Sequence, residues 1–115
     1  MDEILAVIKQ FAGNFAPEGY MDCDGRILPV QQYPALFSIL GASYGGDGRN
    51  NFALPDLRPY TSVTYRVDVP NVNINGNVGS LVSQNVSVAN GPRRPWNYNE
   101  PRYIICVNGV YPQRP

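Results

Sequence analysis

Thr61-Ser62-Val63-Thr64-Tyr65-Arg66-Val67-Asp68-Val69 alternates at every step, with Val63, Tyr65, Val67 and Val69 interleaved by Ser62, Thr64, Arg66 and Asp68. A period of two puts the valines and the tyrosine on one face of an extended chain, so this stretch predicts a half-buried β-strand. Beyond it, Val72, Ile74 and Val78 alternate with Asn73, Asn75 and Asn77, broken at Gly76, and Val86 and Val88 open a third alternation around Ser87. Arg66 and Asp68 are the only charges in residues 61–90. Exposed strand edges are normally guarded by charge, and an uncharged edge is a template for further strands. Two arrangements satisfy that constraint. The edges pair with another copy of the chain, or the strands form an ordinary meander packed on a helix.

The spacing predicts that helix over 33–40. Pro34 stands where a first-turn proline is tolerated, Leu36, Phe37, Ile39 and Leu40 make an apolar stripe, and Gly41 supplies the stop. Tyr44-Gly45-Gly46-Asp47-Gly48-Arg49 follows, glycine-rich enough to adopt backbone shapes closed to other residues. Farther toward the N-terminus, Asp24-Gly25 reads as a hairpin turn between Tyr20-Met21 and Ile27-Leu28. The opening run Ile4 to Ile8, with Phe11 after it, fits a strand or a short helix, and the strand is the preferred reading. Toward the C-terminus, residues 91–102 hold three prolines and the only tryptophan and read as an extended loop. Tyr103-Ile104-Ile105-Cys106-Val107 is an apolar strand, and Asn108-Gly109 before Val110-Tyr111-Pro112 predicts a closing hairpin.

A chain of 115 residues is expected to form one domain, 1–115, with a first region 1–60, a strand region 61–90 and a loop with closing strand 91–115. Nine basic residues balance nine acidic ones, so the basic excess that drives nucleic-acid binding is missing. Histidine is absent, which removes the commonest general base and metal ligand together. The basic side is eight Arg and one Lys, and Arg suits forked contacts at interfaces. Cys23 and Cys106 stand 83 positions apart in a chain with two cysteines and are expected to be small buried hydrophobes rather than a bridge. Met1-Asp2-Glu3 is acidic and the apolar run after it is too short for a signal peptide or a membrane span, so synthesis in the cytoplasm without membrane insertion is expected.

No catalytic constellation emerges. Asp22-Cys23-Asp24-Gly25 lacks the glycine and carboxylate spacing of a calcium loop, and Asp47 stands where a phosphate loop needs lysine. Asp22, Asp24, Asp47 and Asp56 neighbour turn residues and read as turn caps. Asn85-Val86-Ser87 is a glycosylation sequon only formally, without a secretory route. Arg93 and Arg94 near Trp96 and Tyr98 form either an interface anchor or a binding platform for a sugar or phosphate. No enzyme activity, cofactor or metal is expected.

Five blocks, in order, carry a resemblance: residues 11–20 (Phe-Ala-Gly-Asn-Phe-Ala-Pro-Glu-Gly-Tyr), 23–29 (Cys-Asp-Gly-Arg-Ile-Leu-Pro), 35–41 (Ala-Leu-Phe-Ser-Ile-Leu-Gly), 44–49 (Tyr-Gly-Gly-Asp-Gly-Arg) and 52–58 (Phe-Ala-Leu-Pro-Asp-Leu-Arg). Together they resemble the phage tail collar domain over about residues 4–58. The likeness resumes at Asn99-Glu100-Pro101 and at Ile104 to Arg114. The resemblance implies an α+β, mainly β fold with one short helix and long turn-rich loops, intertwined in a homotrimer. It implies a structural component of the tail of a phage or phage-derived particle: a fibre tip, knob or adaptor bound to other virion tail or fibre proteins. The alternative it leaves open is a receptor-binding module, with Arg93, Arg94, Trp96, Tyr98, Tyr44 and Arg49 against a host surface glycan. Some longer members bind a metal through paired histidines and carry an inserted receptor-contacting region. Here Arg58 is followed by Pro59-Tyr60 and the compact strands, with no histidine, so the metal does not carry over.

Overall fold

A computed structural model describes residues 3–72, 75, 76 and 78–114. The elements run β1 (Ile8–Phe11), β2 (Tyr20–Asp22), β3 (Ile27–Pro29), α1 (Pro34–Leu40), β4 (Asn51–Ala53), β5 (Val63–Val72), β6 (Val78–Val88) and β7 (Arg102–Cys106). The protein is thus mainly β with one short helix. It divides into two compact units: the described residues up to Pro59 with those from Pro95 onward, and Tyr60–Arg94.

The first unit is built around β7. Its strands order β1-β7-β2, both pairings antiparallel, with Ile8 opposite Ile105 on one side and Asp22 opposite Ile104 on the other. A strand hydrogen-bonded at both edges and covered on both faces is apolar throughout rather than alternating. Ile104, Ile105 and Cys106 are accordingly all buried, which explains the unbroken run read in the sequence. A two-stranded sheet, β3 with β4, pairs Leu28 with Phe52. The core joins Leu5, Cys23, Leu28, Leu36, Phe52, Leu54 and Ile105. Helix α1 follows the predicted span within a residue: proline in its first turn, Leu36 buried, and Gly41 accepting the stop at φ 58 while its N–H donates to the Phe37 carbonyl at 2.7 Å. Phe37 tilts onto Phe52 at 5.3 Å between ring centroids. Burying side chains of this size contributes about 1.5–3 kcal/mol each. Cys23 and Cys106 are both buried and both free.

Three local expectations are corrected. The opening run is not one strand, because Ala6 takes φ 72 and interrupts the extended backbone; Ile4 bridges Val110 in parallel, and β1 starts only at Ile8. Asp24-Gly25 is a corner, not a hairpin turn. Gly25, at φ 78, turns the chain out of the three-stranded sheet and into the pair β3–β4, so β2 and β3 never pair. Asn108-Gly109 closes no hairpin either. Val110 N–H donates to the Glu3 carbonyl and Leu5 N–H to the Val110 carbonyl, each at 2.8 Å. Glycine at 109 serves that approach: a Cβ there would lie 2.3 Å from the Glu3 carbonyl oxygen and 2.7 Å from Cys106 Sγ.

The second unit is a single ribbon, β5 paired antiparallel with β6, in place of the three alternations read from the sequence. Asn73, Ile74 and Asn77 of the middle alternation lie outside the described residues. The base is closed by a Tyr60–Arg93 bridge, by Thr61 N–H donating to the Pro92 carbonyl at 2.7 Å, and by the Arg93 guanidinium stacked 3.9 Å from the Tyr60 ring centroid. Register sorts the side chains. Val63 faces Val88, Tyr65 faces Val86, Val67 faces Gln84 and Val69 faces Val82 on one side of the ribbon. Thr64 faces Ser87, Arg66 faces Asn85 and Asp68 faces Ser83 on the other. The polar side bonds to itself: Thr64 and Ser87 hydroxyls meet at 3.0 Å, Arg66 donates to Ser83 Oγ at 3.2 Å, and Ser83 donates to Asp68 at 2.7 Å. The apolar side is open, with Tyr65 47%, Val82 42% and Val86 41% exposed, and none of residues 60–71 and 79–94 is buried. The sequence pattern is half-buried; the chain by itself leaves it uncovered.

Gly109→Ala places a methyl against backbone that has no room to give, and should lower stability by about 2–4 kcal/mol in chemical denaturation. Asn108→Ala, one residue away and exposed, should change it by less than about 0.5 kcal/mol. Equal effects would show that residue 109 is not held against Glu3.

Candidate functional site

Strand pairing alone brings two distant charges together. Asp22 ends β2 opposite Ile104 and Arg102 begins β7 two residues earlier, a diagonal on the same face of the sheet, with Arg102 Nη1 donating to Asp22 Oδ2 at 2.8 Å. The pair is largely covered, 18% exposed at the Asp22 side chain and 13% at Arg102. That overturns the turn-cap reading for Asp22, whose partner lies 80 residues away. Asp22 Oδ1 and Arg102 Nε are buried without a hydrogen-bond partner. A covered donor or acceptor left unpaired costs on the order of 1–3 kcal/mol, which offsets part of what the ion pair contributes.

Beside this pair, two segments repeat one geometry. In Asp24-Gly25-Arg26, Asp24 Oδ1 accepts from the Arg26 backbone N–H at 3.2 Å and from its Nε at 3.0 Å, while Oδ2 accepts from Nη2 at 2.9 Å. In Asp56-Leu57-Arg58 the same three bonds measure 3.2, 3.0 and 2.8 Å. Asp24 and Asp56 are themselves bridged antiparallel. Each aspartate caps its own turn, as expected, and also grips the arginine two residues on in a forked, charge-assisted contact. Burial pushes the Asp24 carboxyl up, but the hydrogen bonds and charge of Arg26 together outweigh it and hold the group below the usual range. Desolvation, followed by the charges of Asp22, Asp24 and Asp56, pushes the Cys23 thiol up to about 12 and leaves it inert.

Asp22, Asp24, Arg58, Pro95, Trp96 and Arg102 line a cavity of about 250 Å³. Trp96 packs against the core and the Arg102 guanidinium lies 5.6 Å from its ring centroid. Of the interface or receptor candidates named from the sequence, only Trp96 lines this cavity. Tyr98 is 85% exposed. Arg93 is stacked on Tyr60, and Arg94 is half-buried, both in the ribbon unit. Tyr44 and Arg49 are exposed on the glycine loop after α1, which Asp47 organises by accepting from the backbone N–H of Arg49, Asn50 and Asn51 at 2.8, 2.9 and 3.1 Å. In the sequence Asp22 reads only as a turn cap, and Arg58 and Arg102 show no role of their own. A repeated Asp-x-Arg was available for Arg58; nothing local pointed to the Asp22–Arg102 pair.

The backbone donors, Arg49 first, hold Asp47 below the usual aspartate range. Such a group contributes stability in full above the unfolded value, near 3.9, and loses it as pH falls through the lowered folded value. Thermal unfolding should therefore stay level from about pH 7 to 5 and weaken below about pH 4. Asp47→Asn, which keeps an acceptor for the turn, should make that acid branch shallower without removing it, because Asp24 is held low as well; an unchanged branch would locate the titration elsewhere.

Comparison with known proteins adds the family. The model of the Phage Tail Collar Domain matches residues 6–61, a span that takes in β1 to β4, α1, the glycine loop and both Asp-x-Arg clamps. No curated protein and no solved structure matches the chain at a significant level. No helix among the described residues is long and apolar enough to cross a membrane. The sequence blocks, the one short helix among small sheets and the match agree in supporting one family for residues 6–61: this part of the chain matches the phage tail collar domain, a structural family of the phage tail.

Proposed function

We propose that the protein is a homotrimeric structural part of a phage tail appendage, serving as a fibre tip, knob or adaptor through contacts between its own copies and with other virion tail proteins. The observation that carries this reading is the uncovered apolar face of the β5–β6 ribbon. A lone two-stranded ribbon is marginal in water, and this one has no third strand among the described residues. Its apolar face holds valines, a tyrosine and one glutamine, with both charges of the two strands, Arg66 and Asp68, on the opposite side. A charge-free face is complementary to itself, so a second and third copy cover it without burying an unpaired ion. Both outer edges accept further strands on the same terms.

A second reading is favoured by the cavity at Trp96 and the exposed Tyr98: the unit also contacts a host surface glycan. Tyr98→Ala, which disturbs no core contact, should then reduce host-cell adsorption, and unchanged adsorption would remove Tyr98 from the contact.

For the leading reading, light scattering at several concentrations should give about 38 kDa, three times the chain mass of 12.7 kDa. Val86→Asp puts a charge opposite Tyr65 at the centre of the apolar face. It should raise the dissociation constant more than about tenfold, while Cys23 and Cys106 stay closed to alkylation because their unit remains folded. A wild-type protein that is monomeric at every concentration would overturn the proposal.

A further inference from the structure

We infer that β1 is a docking edge for the β6 strand of a second copy, so that the ribbon of one chain extends the three-stranded sheet of its neighbour. The inference rests on the trimeric reading above and names the surface through which one copy holds the next.

The phase of the backbone decides which groups of β1 face outward. Ala6 N–H donates to the Cys106 carbonyl at 2.9 Å, and Cys106 N–H to the Val7 carbonyl at 3.0 Å. Antiparallel ladders bond on alternate residues, so Ile104 and Arg102 are the next of β7 to turn toward β1, and their partners Lys9 and Phe11 turn inward. The opposite side of β7 agrees, with Cys23 N–H donating to the Tyr103 carbonyl at 3.0 Å and Val107 N–H to the Gly19 carbonyl at 2.9 Å. Ile8 and Gln10 therefore direct their N–H and carbonyl groups away from the sheet, and no described hydrogen bond reaches them. Other edges are capped within the chain. On β2 the Tyr20 N–H donates to the Pro17 carbonyl at 3.0 Å, and on β4 the Ala53 N–H donates to the Gly45 carbonyl at 3.1 Å.

Lysine is the usual guard of such an edge. Lys9, the only lysine in the chain, is drawn off it: its ammonium donates to Glu3 Oε2 at 3.0 Å and lies 4.8 Å from the ring centroid of Tyr20, a residue of β2 on the far side of β7. Ile8, at 38%, and Gln10 stay exposed. An open edge with its one charge withdrawn suits a strand that brings no charge of its own. That selects between the two strands of the ribbon. β5 carries Arg66, Asp68 and Pro70, and proline has no donor for a ladder. β6 is 11 residues without charge or proline, and its outer edge has no partner strand among the described residues. Val82, Gln84 and Val86 alternate along one side of β6 as Ile8 and Gln10 do along β1, so the joined face is aliphatic and amide throughout. The contact of β6 on one copy with β1 on the next is head to tail, the kind that builds a ring and hence a trimer.

The test mixes isotope-labelled, deuterated full-length protein with an equal amount of unlabelled protein and reads contacts between copies by nuclear magnetic resonance. The amides of Ile8 and Gln10 in the labelled copy should show cross-relaxation to protons of Val78–Val88 in the unlabelled one. The same two amides should exchange with solvent at least about tenfold more slowly at high protein concentration than on dilution. Gln10→Pro removes one outward donor and spares the inward ladder, because proline is tolerated on an edge whose N–H faces solvent. It should raise the dissociation constant of the assembly at least about tenfold, with Cys106 still closed to alkylation. Since proline also restricts the backbone, the wild-type contacts are the deciding readout. Contacts of Ile8 and Gln10 with β1 or β5 of the other copy would overturn the inference. So would fast exchange of both amides in an assembly whose ribbon amides are protected, and either result leaves the trimer standing. A protein that is monomeric at every concentration would overturn both readings.

Discussion

Strand β7 sits between β1 and β2, and everything else in the first unit depends on that placement. The family match ends at residue 61, yet the central strand of its sheet is Arg102–Cys106. Residues 6–61 alone would leave β1 and β2 with no strand to join them and the core without Ile105. The register that buries Ile104 and Ile105 also fixes Arg102 beside Asp22, so the same strand that completes the core completes the wall of the cavity. Packing and site are one constraint here. The intervening ribbon is tolerated because Tyr60 and Arg93 hold its two ends together, which makes the length of the excursion a small entropic cost.

What could be read from the sequence is what is decided locally. Helix α1 was legible because its proline, apolar stripe and terminal glycine all lie within eight residues. The ribbon was legible as strands because alternation is a property of neighbours, and β7 as a buried strand because its apolar run is unbroken. The errors share a cause. Asp24-Gly25 and Asn108-Gly109 do turn the chain, but a turn signal says nothing about which strand the chain meets afterwards. One leads into a different sheet, and the other places glycine against Glu3 from the far end of the chain. Ala6 at positive φ had no sequence signal at all.

The candidate site was less legible for the same reason. Trp96 was picked out because it is unique, whereas Asp22 and Arg102 acquire their meaning only through a pairing 80 residues long. The two units also use charge in opposite ways. In the first, aspartate and arginine pair in short contacts, two of them forked, that define corners and the cavity wall. In the ribbon, charge is confined to one face and the other is left to valine and tyrosine. Directional, short-range pairing suits a rigid frame; a non-directional apolar face suits association between copies.

Residue-by-residue hydrogen exchange over Val63–Val72 and Val78–Val88, recorded at high and low protein concentration, tests the central claim most directly, that the ribbon completes itself on other copies of the chain. Such an assembly predicts that the outward-facing edge amides, which have no partner within one hairpin, exchange at least about a hundredfold more slowly at high concentration and lose that protection on dilution. Edge amides that exchange fast at every concentration, while Ile104 and Ile105 remain protected, would contradict it.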